Sequence, residues 1–300
     1  MITLKDLKPE ATYVNLDRQY MHDLIERAIE KAGSQTKLAN ILNLHIGKQY
    51  QTIFPYWLNH NVLRLDRLYS LHEYLGSVLK THKIKGLKSR AKGGLVQGTI
   101  FPVKLTPKLA NVLAKLYCDG CIEKKNSYTA TYYNLCYKLI SEFKENVSAC
   151  FGTVPFYERK THLYWVRIPN IISRTLYEKF RLGRHRVPVQ VMNANSQIKG
   201  AYLSAVFDDE GSVNKIHGQI RLKMKHKTFL QDIQRLLRDL GVECSGLTRS
   251  ISGFGHEAWQ FGITSRGNFS KFYKSIGFSH PDKLEKLQNR LKSYITPDRK

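Results

Sequence analysis

Two acidic residues, Asp119 and Glu210, end two copies of one sequence pattern. The first copy reads VLAKLYCDG (residues 112–120) and the second reads LSAVFDDEG (residues 203–211). Each copy is an apolar run with helical spacing that closes with a carboxylate and a glycine. The second acid follows the first by 91 residues, which leaves room for one small αβ unit between them. A duplicated helix that delivers one acid per copy predicts two carboxylates side by side, as two-metal phosphodiester chemistry requires.

The elements that must position these acids also repeat after Phe101. The first copy is expected to continue with a strand region, a helix, a strand and a helix, at Tyr128–Leu139, Ser141–Phe151, around Trp165, and at Pro169–Phe180. The second copy is expected to continue with a strand, a helix and a strand, at Gln219–Lys225, Lys227–Leu240 and Trp259–Ile263, before helices that reach the C-terminus. Trp165 and Trp259 lie 46 and 49 residues past their acids. This matched spacing predicts an α+β fold with an αββαββα plan in each half.

The first 79 residues are expected to form a small all-α domain. Helices are predicted at Tyr20–Lys31, Gln35–Leu42, Lys48–Leu58 and Leu65–Leu75, from apolar spacing and from the caps Ser34, Gly33 and Gly76. The stretch GSQTKLANIL, then Trp57, then LDRLYSLHEYLG resembles a helix-turn-helix domain of the phage-repressor type. That resemblance implies DNA binding, with Lys48–Phe54 as the candidate recognition helix. A small helical bundle without a DNA-binding role is the alternative.

The charge balance points to a polyanionic partner. The chain of 300 residues has 48 Lys and Arg against 24 Asp and Glu, a formal charge of +24 and a pI near 9.8. Nucleic acid is the usual partner of such a chain, although a ribosome-associated protein has a similar balance. Residues 80–100 are expected to be a basic linker that contacts phosphates through Lys83, Lys85, Lys88 and Arg90. Cys118 and Cys121 form a CxxC without a second close pair, so structural zinc is not favoured.

The signals for a membrane or a secreted protein are missing from the sequence. It has no run of 18 apolar residues, no lipidation motif and no apolar segment in Met1–Glu10 that could serve as a secretory signal. The expected location is therefore the cytoplasm, in association with the nucleoid if the source is prokaryotic.

From Leu105 to Leu291 the sequence is similar to the LAGLIDADG homing endonuclease family in its single-chain, two-motif form. Besides the two acid motifs, the similarity includes FDDEGSV (207–213), IRLKMKHKTFLQDIQRLLRDLGV (220–242) and SIGFSHPDKLEKL (275–287). The resemblance implies a pseudo-two-fold core with halves at 101–192 and 193–300. It also implies two antiparallel sheets that form a DNA-binding saddle, and a monomer with internal pseudo-dimer symmetry.

The resemblance also assigns the site. Asp119 and Glu210 are expected to hold Mg²⁺ or another divalent cation such as Mn²⁺, beside Cys118 and Asp209 and with help from backbone carbonyls. The motif helices are expected to pack along the positions Ala114, Cys118, Ala205 and Asp209. Asp209 departs from the family pattern, which has a small residue there, and Lys115 interrupts an apolar helix. Basic residues near the reacting phosphate are expected to be Lys283 in the second half and Arg184 or Arg186 in the first.

Alternation in one predicted strand indicates a DNA-reading face. In residues 219–225, apolar residues alternate with Gln219, Arg221, Lys223 and Lys225, and Arg and Gln can pair with base edges in the major groove. Asn134 and Lys138 are the candidates for the same face in the first half. An amphipathic strand that faces water is the alternative.

The sequence therefore predicts a site-specific, double-strand DNA homing endonuclease that cuts a long pseudo-palindromic site by metal-dependent hydrolysis. A free-standing enzyme rather than an intein is expected, because the terminal Cys or Ser and His-Asn of splicing chemistry do not occur. Two alternatives stay open. A catalytically silent transcription regulator could use the fold for binding only, and an RNA maturase could bind intron RNA with the same basic surface.

Overall fold

A computed structural model describes residues 1–44, 50–89, 94–123, 128–214, 218–251 and 257–294. The chain divides into two compact units. The first comprises Met1–Lys104, Cys150–Pro155 and Pro169–Thr175, and the second comprises Leu105–Ala149, Phe156–Ile168 and Leu176–Lys300. Within the described residues, no helix has the length and apolar character needed to span a bilayer.

The first unit combines helices with an antiparallel sheet. Its helices are α1 (Arg18–Ala32), α2 (Gln35–Ile41), α3 (Tyr50–His60) and α4 (Leu65–Leu75). Its strands are β1 (Thr12–Leu16), β2 (Val62–Arg64), β3 (Ile84–Ser89) and β4 (Val96–Gln97), in the order β2-β1-β3-β4. The predicted helices are present, but the unit is not all-helical. Val14 and Leu16 are buried at alternate positions of β1, a period of two that is typical of a half-buried strand.

The segment predicted as a basic linker also contains strand. Residues of β3 pair with β1 from Thr12 opposite Ser89 to Asn15 opposite Gly86. Apolar residues lie between the lysines of this segment, and the apolar side chains of Ile84, Leu87 and Val96 are buried. The Lys83 and Lys85 ammonium groups lie 4.0 and 3.9 Å from the Asp17 carboxylate. Lys88 lies on β3, whereas Arg90 is outside the described residues.

Local signals set the ends of the helices in this unit. The Asp17 carboxylate accepts a hydrogen bond from the Tyr20 amide at the start of α1, and the Ser34 hydroxyl accepts one from Lys37 at the start of α2. Gly33 ends α1 with a φ of 81°, in the left-handed region that favours glycine. The candidate recognition helix Lys48–Phe54 coincides with the first half of α3, and its first two residues lie outside the described ones.

From Pro107 onward the chain forms two halves with the same order of elements. The first half contains α5 (Pro107–Tyr117), β5 (Gly120–Glu123), β6 (Thr129–Asn134), α6 (Tyr137–Phe151), β7 (Tyr157–Lys160), β8 (Tyr164–Ile168) and α7 (Asn170–Phe180). The short helix α8 (Val189–Met192) follows. The second half contains α9 (Ser196–Glu210), β9 (Gly211–Asn214), β10 (Gln219–Met224), α10 (Lys227–Asp239), β11 (Thr248–Ile251), β12 (Glu257–Ile263), α11 (Arg266–Ser275) and α12 (Pro281–Ser293).

The two sheets share one topology. Their orders are β5-β6-β8-β7 and β9-β10-β12-β11, and every pairing is antiparallel. The duplicated αββαββα core with two antiparallel sheets, predicted from the sequence, is confirmed. One boundary differs, since the predicted strand region 128–139 ends at Asn134. The Asn134 side chain accepts a hydrogen bond from the Cys136 amide at 2.9 Å, a local turn that stops the strand before α6 begins.

Helices α5 and α9 pack against each other at the centre of the core. Every residue of α5 from Leu109 to Leu116 is buried. Small side chains at Ala110, Ala114 and Ala205 are fully buried in this pair of helices. Thr106 caps α5 and Asn195 caps α9 through side-chain oxygens that accept backbone amides. Both motif helices therefore begin at a capping residue, and each has its acid at the C-terminal end.

Candidate active site

The two motif acids lie at the C-terminal ends of α5 and α9, each followed by a glycine. A Cβ atom on Gly120 would lie 2.5 Å from the Leu116 carbonyl oxygen, and one on Gly211 would be equally close to the corresponding carbonyl of α9. Real Cβ atoms do not approach backbone so closely, so only glycine fits behind Asp119 and Glu210. This steric condition, met twice, explains why both motifs end in an acid and a glycine.

Each acid lines a cavity of its own. The Asp119 cavity has a volume of about 320 Å³, and its lining includes Asn134, Asp208, Asp209, His280 and Lys283. The Glu210 cavity has a volume of about 420 Å³, and its lining includes Cys118, His185, Lys225 and His226. The two cavities are therefore equivalent in position along the motif helices but differ in the side chains that surround the acid.

Partial burial raises the pKa of both acids. Burial raises the pKa of Glu210 to about 7, with a further contribution from the negative charge of Asp119. Burial also raises the pKa of Asp119, while the cations Lys283 and Lys115 and a hydrogen bond from the Asn134 amide (3.1 Å) act in the opposite direction. Partly buried carboxylates with raised pKa values are typical of a functional site, where a bound cation can stabilise their charged forms.

The two departures from the family pattern, Lys115 and Asp209, lie together. Both side chains are fully buried, and the Lys115 ammonium is 4.0 Å from Asp209 Oδ1. The Lys115 ammonium also lies 3.7 Å from Glu142 and 3.3 Å from the Tyr132 hydroxyl, which donates to Asp209 at 2.8 Å. Burial nevertheless raises the pKa of Asp209 to about 8. Each unusual residue thus supplies the partner that the other needs inside the core.

Asp208, the acid before Asp209, has a structural partner. Its carboxylate is 1% exposed and accepts hydrogen bonds from the amides of Ser279 (3.0 Å) and His280 (2.9 Å), just before α12. Burial raises the pKa of Asp208 to about 6 in spite of these bonds. Asp208 therefore connects the end of α9 to the start of α12.

Lys283, predicted from the family resemblance, lies in the Asp119 cavity. Its ammonium donates to the carbonyl oxygens of Phe207 (3.2 Å), Asp208 and Asp209 (3.5 Å), which are the last carbonyls of α9. A cation is favourable there because a helix C-terminus carries partial negative charge. Burial lowers the pKa of Lys283, whereas the surrounding acids act to raise it.

The basic candidates of the first half are placed differently. Arg184 is exposed and is not among the residues that line either cavity. Arg186 makes a two-pronged ion pair with Asp232 at 2.6 and 2.9 Å, so its guanidinium already has a partner. Sequence reasoning missed His185 and His226, whose rings stack with their centroids 3.5 Å apart and line the Glu210 cavity. The one sequence feature that could have indicated this site is that His226 directly follows Lys225, a predicted DNA-binding residue.

The alternation predicted for β10 is present, whereas Asn134 and Lys138 of the first half do not occupy an equivalent strand face. On β10, Ile220 and Leu222 are buried while Arg221 is exposed, and Lys225 is exposed just after the strand. Asn134 lies instead among the acids, since its amide reaches Asp119 at 3.1 Å and Asp209 at 3.4 Å. Lys138 lies in the first turn of α6 rather than on a strand, because the turn at residues 134–136 ends β6.

The residues around the acids fit a hard divalent cation. The Asp209 Oδ2 atom is buried without a hydrogen-bond partner in the structure, and the acids on α5 and α9 offer oxygen ligands only. Mg²⁺ is commonly held by one or two carboxylates, with phosphate oxygens and waters completing its shell. In the described part of the chain, no three His, Cys, Asp or Glu side chains form a ready-made metal site. The Cys118 sulfur does not fit, because burial raises the pKa of the thiol and a soft ligand does not suit such an ion.

Comparisons with known proteins give one family match and several similar proteins. The family described as LAGLIDADG-like domain matches residues 197–277. The chain is 27% identical over 202 residues to a glutamine–fructose-6-phosphate aminotransferase of Methanocaldococcus jannaschii, covering 63% of this chain but only 18% of that protein. It is 25% identical over 190 residues to the homing endonuclease I-ApeI of Aeropyrum pernix, covering 58% of this chain and 82% of that one.

Among solved structures, the chain is similar to the crystal structure of I-DmoI in complex with DNA and Mn. It is 17% identical, covers 58% of this chain and 97% of that one, and has a TM-score of 0.45. The duplicated acid motifs, the family match and the similarity to I-ApeI agree with one another. The predicted resemblance to the LAGLIDADG homing endonuclease family is therefore confirmed, and the family match covers residues 197–277.

Proposed function

We propose that this protein is a DNA endonuclease that hydrolyses one phosphodiester bond in each strand of a double-stranded target. The observation that carries the proposal is the pair Asp119 and Glu210, set at equivalent ends of two packed helices, each in its own cavity. The similarity to I-ApeI, which is named a homing endonuclease, supports the same reaction class. Two equivalent acids and two cavities suit a reaction that must occur once on each strand.

The chemistry proposed for the site follows from its charges. Asp119 and Glu210 would hold Mg²⁺ or Mn²⁺, which when bound supplies charge stabilisation at the phosphate and at the leaving oxygen. In the Asp119 cavity, the Lys283 ammonium adds positive charge and keeps the end of α9 in place. In the Glu210 cavity, Lys225 and the stacked pair His185 and His226 offer positive charge and proton-carrying groups. The phosphate would thus meet a different set of basic side chains on each strand.

Binding of a long duplex is proposed to involve both units of the chain. The two sheets of the core have the same topology, so they suit two half-sites related by an approximate two-fold axis. The helices of the N-terminal unit and the lysines Lys83, Lys85 and Lys88 would add contacts that depend mainly on phosphate charge. The internal duplication lets one monomer provide the symmetry that a dimer would otherwise supply.

The decisive experiment is cleavage of a randomised duplex DNA library in Mg²⁺. We expect the wild type to produce specific double-strand breaks. Asp119→Asn and Glu210→Gln keep the size of each side chain but remove its charge, and each should lower the rate about 10³-fold or more. The exposed residue Glu243 provides the matched control Glu243→Gln, which should leave cleavage unchanged.

The result also separates the proposal from its two rivals. Cleavage by the wild type that disappears in both acid variants supports the endonuclease. Duplex binding without cleavage by any variant would contradict it and favour a transcription regulator. Selective retention of structured intron RNA over duplex DNA would contradict it in favour of a maturase.

A further inference from the structure

The sheet of the first half has an open face rich in aromatic rings. Opposed residues of an antiparallel sheet share a face, and Tyr133 lies opposite Trp165, which lies opposite Arg159. On the same face, Arg167 lies opposite Tyr157. The alternate positions belong to the other face and are buried there: Ala130, Tyr132, Val166 and Ile168. The register therefore places three aromatic rings and two guanidinium groups on one face. Cys121, Glu123, Thr129 and the buried Thr131 share this face toward the β5 edge.

These side chains form one continuous cluster. The Trp165 ring lies 5.4 Å from that of Tyr157 and 6.5 Å from that of Tyr133, centroid to centroid. The Arg159 guanidinium lies 4.9 Å from the Tyr157 ring, and that of Arg167 lies 5.6 Å from the Trp165 ring. Tyr157 is 43% exposed, and both arginines are exposed. The tilted, neighbouring rings thus form an apolar patch with a cation beside two of them.

The equivalent face of the second half has a different chemistry. Its described residues are polar or small: Ser212, Asn214, Gln219, Arg221, Lys223, Thr248, Ser250, Ala258, Gln260 and Gly262. The amide of Gln219 lies over Gly262, where a Cβ would be only 1.6 Å from Nε2. Trp259 and Phe261 belong to the opposite register, and Phe261 is buried. Among the described residues, this face therefore offers hydrogen-bonding groups and no aromatic ring.

Major-groove chemistry distinguishes two such surfaces. Base edges there present hydrogen-bond donors and acceptors, and the C5-methyl group of thymine is their apolar feature. A polar face can form hydrogen bonds with the donors and acceptors of the bases. An aromatic face leaves those groups without partners, so it is suited to positions where thymine methyl groups fill the contact. The arginines that border the rings match the phosphates on either side of the groove.

We propose that the aromatic face of the first half recognises thymine methyl groups, while the polar face of the second half reads hydrogen-bonding edges. The two half-sites of the target then differ in chemistry, with a thymine-rich segment under Tyr133, Tyr157 and Trp165. This inference rests on the proposed binding of duplex DNA and adds the character of the target to it.

The first test selects targets with the full-length double variant Asp119→Asn/Glu210→Gln, which binds without cutting, from a randomised duplex library in Mg²⁺. We expect a consensus with a run of T·A pairs in one half only. A specific consensus without that run overturns the inference and leaves the proposed function intact. Failure to retain any duplex, with the wild type giving no cleavage, contradicts the proposed function as well as the inference.

The second test replaces thymine by deoxyuridine in the selected duplex, which removes the methyl group and keeps Watson–Crick pairing. Each replacement in the thymine-rich half should weaken binding about three- to fourfold, from the burial of one methyl group. Replacement in the other half should change affinity less than about twofold. Equal tolerance in both halves overturns the inference.

Variants then assign the effect to the aromatic face. Trp165→Ala and the edge variant Tyr157→Ala should each bind thymine and deoxyuridine duplexes more equally, whereas Arg221→Ala, on the polar face, should keep the full preference for thymine. Thermal unfolding identifies a variant that does not fold, and in that case the more exposed Tyr157 carries the test. A preference for thymine that persists in a folded Tyr157→Ala and Trp165→Ala overturns the inference.

Discussion

The two halves of the core have the same backbone plan but different surroundings for their acids. In the first half, Asp119 accepts a hydrogen bond from Asn134 and shares its cavity with Lys283. In the second half, Glu210 shares its cavity with His185 and His226. Backbone features that place the acids, such as the glycine after each one, occur in both halves. Duplication therefore preserved what positions the carboxylates, while the side chains that tune them diverged.

The buried pair is the largest difference between the motif helices. Lys115 corresponds to Val206, and Asp209 corresponds to Cys118, when the two motifs are aligned. Lys115→Met should destabilise the protein by about 3–5 kcal/mol, because it leaves Asp209 and Glu142 without their buried cation. Chemical denaturation measures the loss. The double variant Lys115→Val/Asp209→Cys, which makes the helices alike, should lie within about 1.5 kcal/mol of the wild type. A double variant as unstable as Lys115→Met would contradict the inferred pairing of Lys115 with Asp209.

Loss of the Lys283 ammonium should slow cleavage of one DNA strand more than cleavage of the other. Lys283→Met removes the donor to the last carbonyls of α9 and a cation from the Asp119 cavity. We expect cleavage to slow by about 10- to 100-fold on one strand, so that nicked plasmid accumulates before linear product. Time courses on supercoiled plasmid with the selected site measure this. Lys292→Met, an exposed change in the same helix, is the control. Equal slowing of both strands would show that the two cavities act as one.

Substitution of Gly120 and Gly211 should test whether the backbone holds the two acids in the same way. Gly120→Ala and Gly211→Ala each force a methyl group against the last turn of a motif helix. We expect each to lower the free energy of unfolding by about 1–3 kcal/mol, and by similar amounts. Denaturation of both variants beside Gly267→Ala, where nothing lies within 4 Å of the added Cβ, provides the comparison. A large effect in one half alone would contradict the structural equivalence of the two acids.

The pH dependence of the free energy of unfolding should come mainly from the acids of the second half. Asp208, Asp209 and Glu210 have folded-state pKa values raised to about 6, 8 and 7 by burial. Raised values mean that folding favours the protonated acids, so this stability is fully present below about pH 4 and is lost progressively up to about pH 8. Without divalent cations, the free energy of unfolding should therefore fall by several kcal/mol between pH 5 and pH 8, and the unfolding temperature should fall with it.

Two variants sharpen that measurement. Asp209→Asn should flatten the pH profile, and Asp17→Asn, a change outside the core, should not. Added Mg²⁺ should raise the unfolding temperature more at pH 8 than at pH 5, because the ionised acids hold it better. An unfolding temperature that rises steadily from pH 5 to pH 8 without metal would show that these carboxylates are ionised when folded.

Much of the core could be predicted because its signals are local. Helical spacing with an acid and glycine at the end located α5 and α9, and strict alternation located β10. The aromatic face was not predicted, because the sequence shows Tyr133, Tyr157 and Trp165 as separate residues. Only the register of three strands places them on one side. The basic segment at 84–89 was assigned to a linker for the same reason, since its partner β1 lies about seventy residues earlier and pairing cannot be seen locally.

The sequence by itself determined the duplication, the two acids and the helices that carry them, because period, caps and glycines act within a few residues. Tertiary structure alone decided which groups surround those acids. Lys115 meets Asp209, Lys283 meets the carbonyls of α9, and Asn134 meets Asp119 only after distant segments pack. Burial then sets their pKa values, because the cost of a buried charge depends on every neighbour that the fold brings to it.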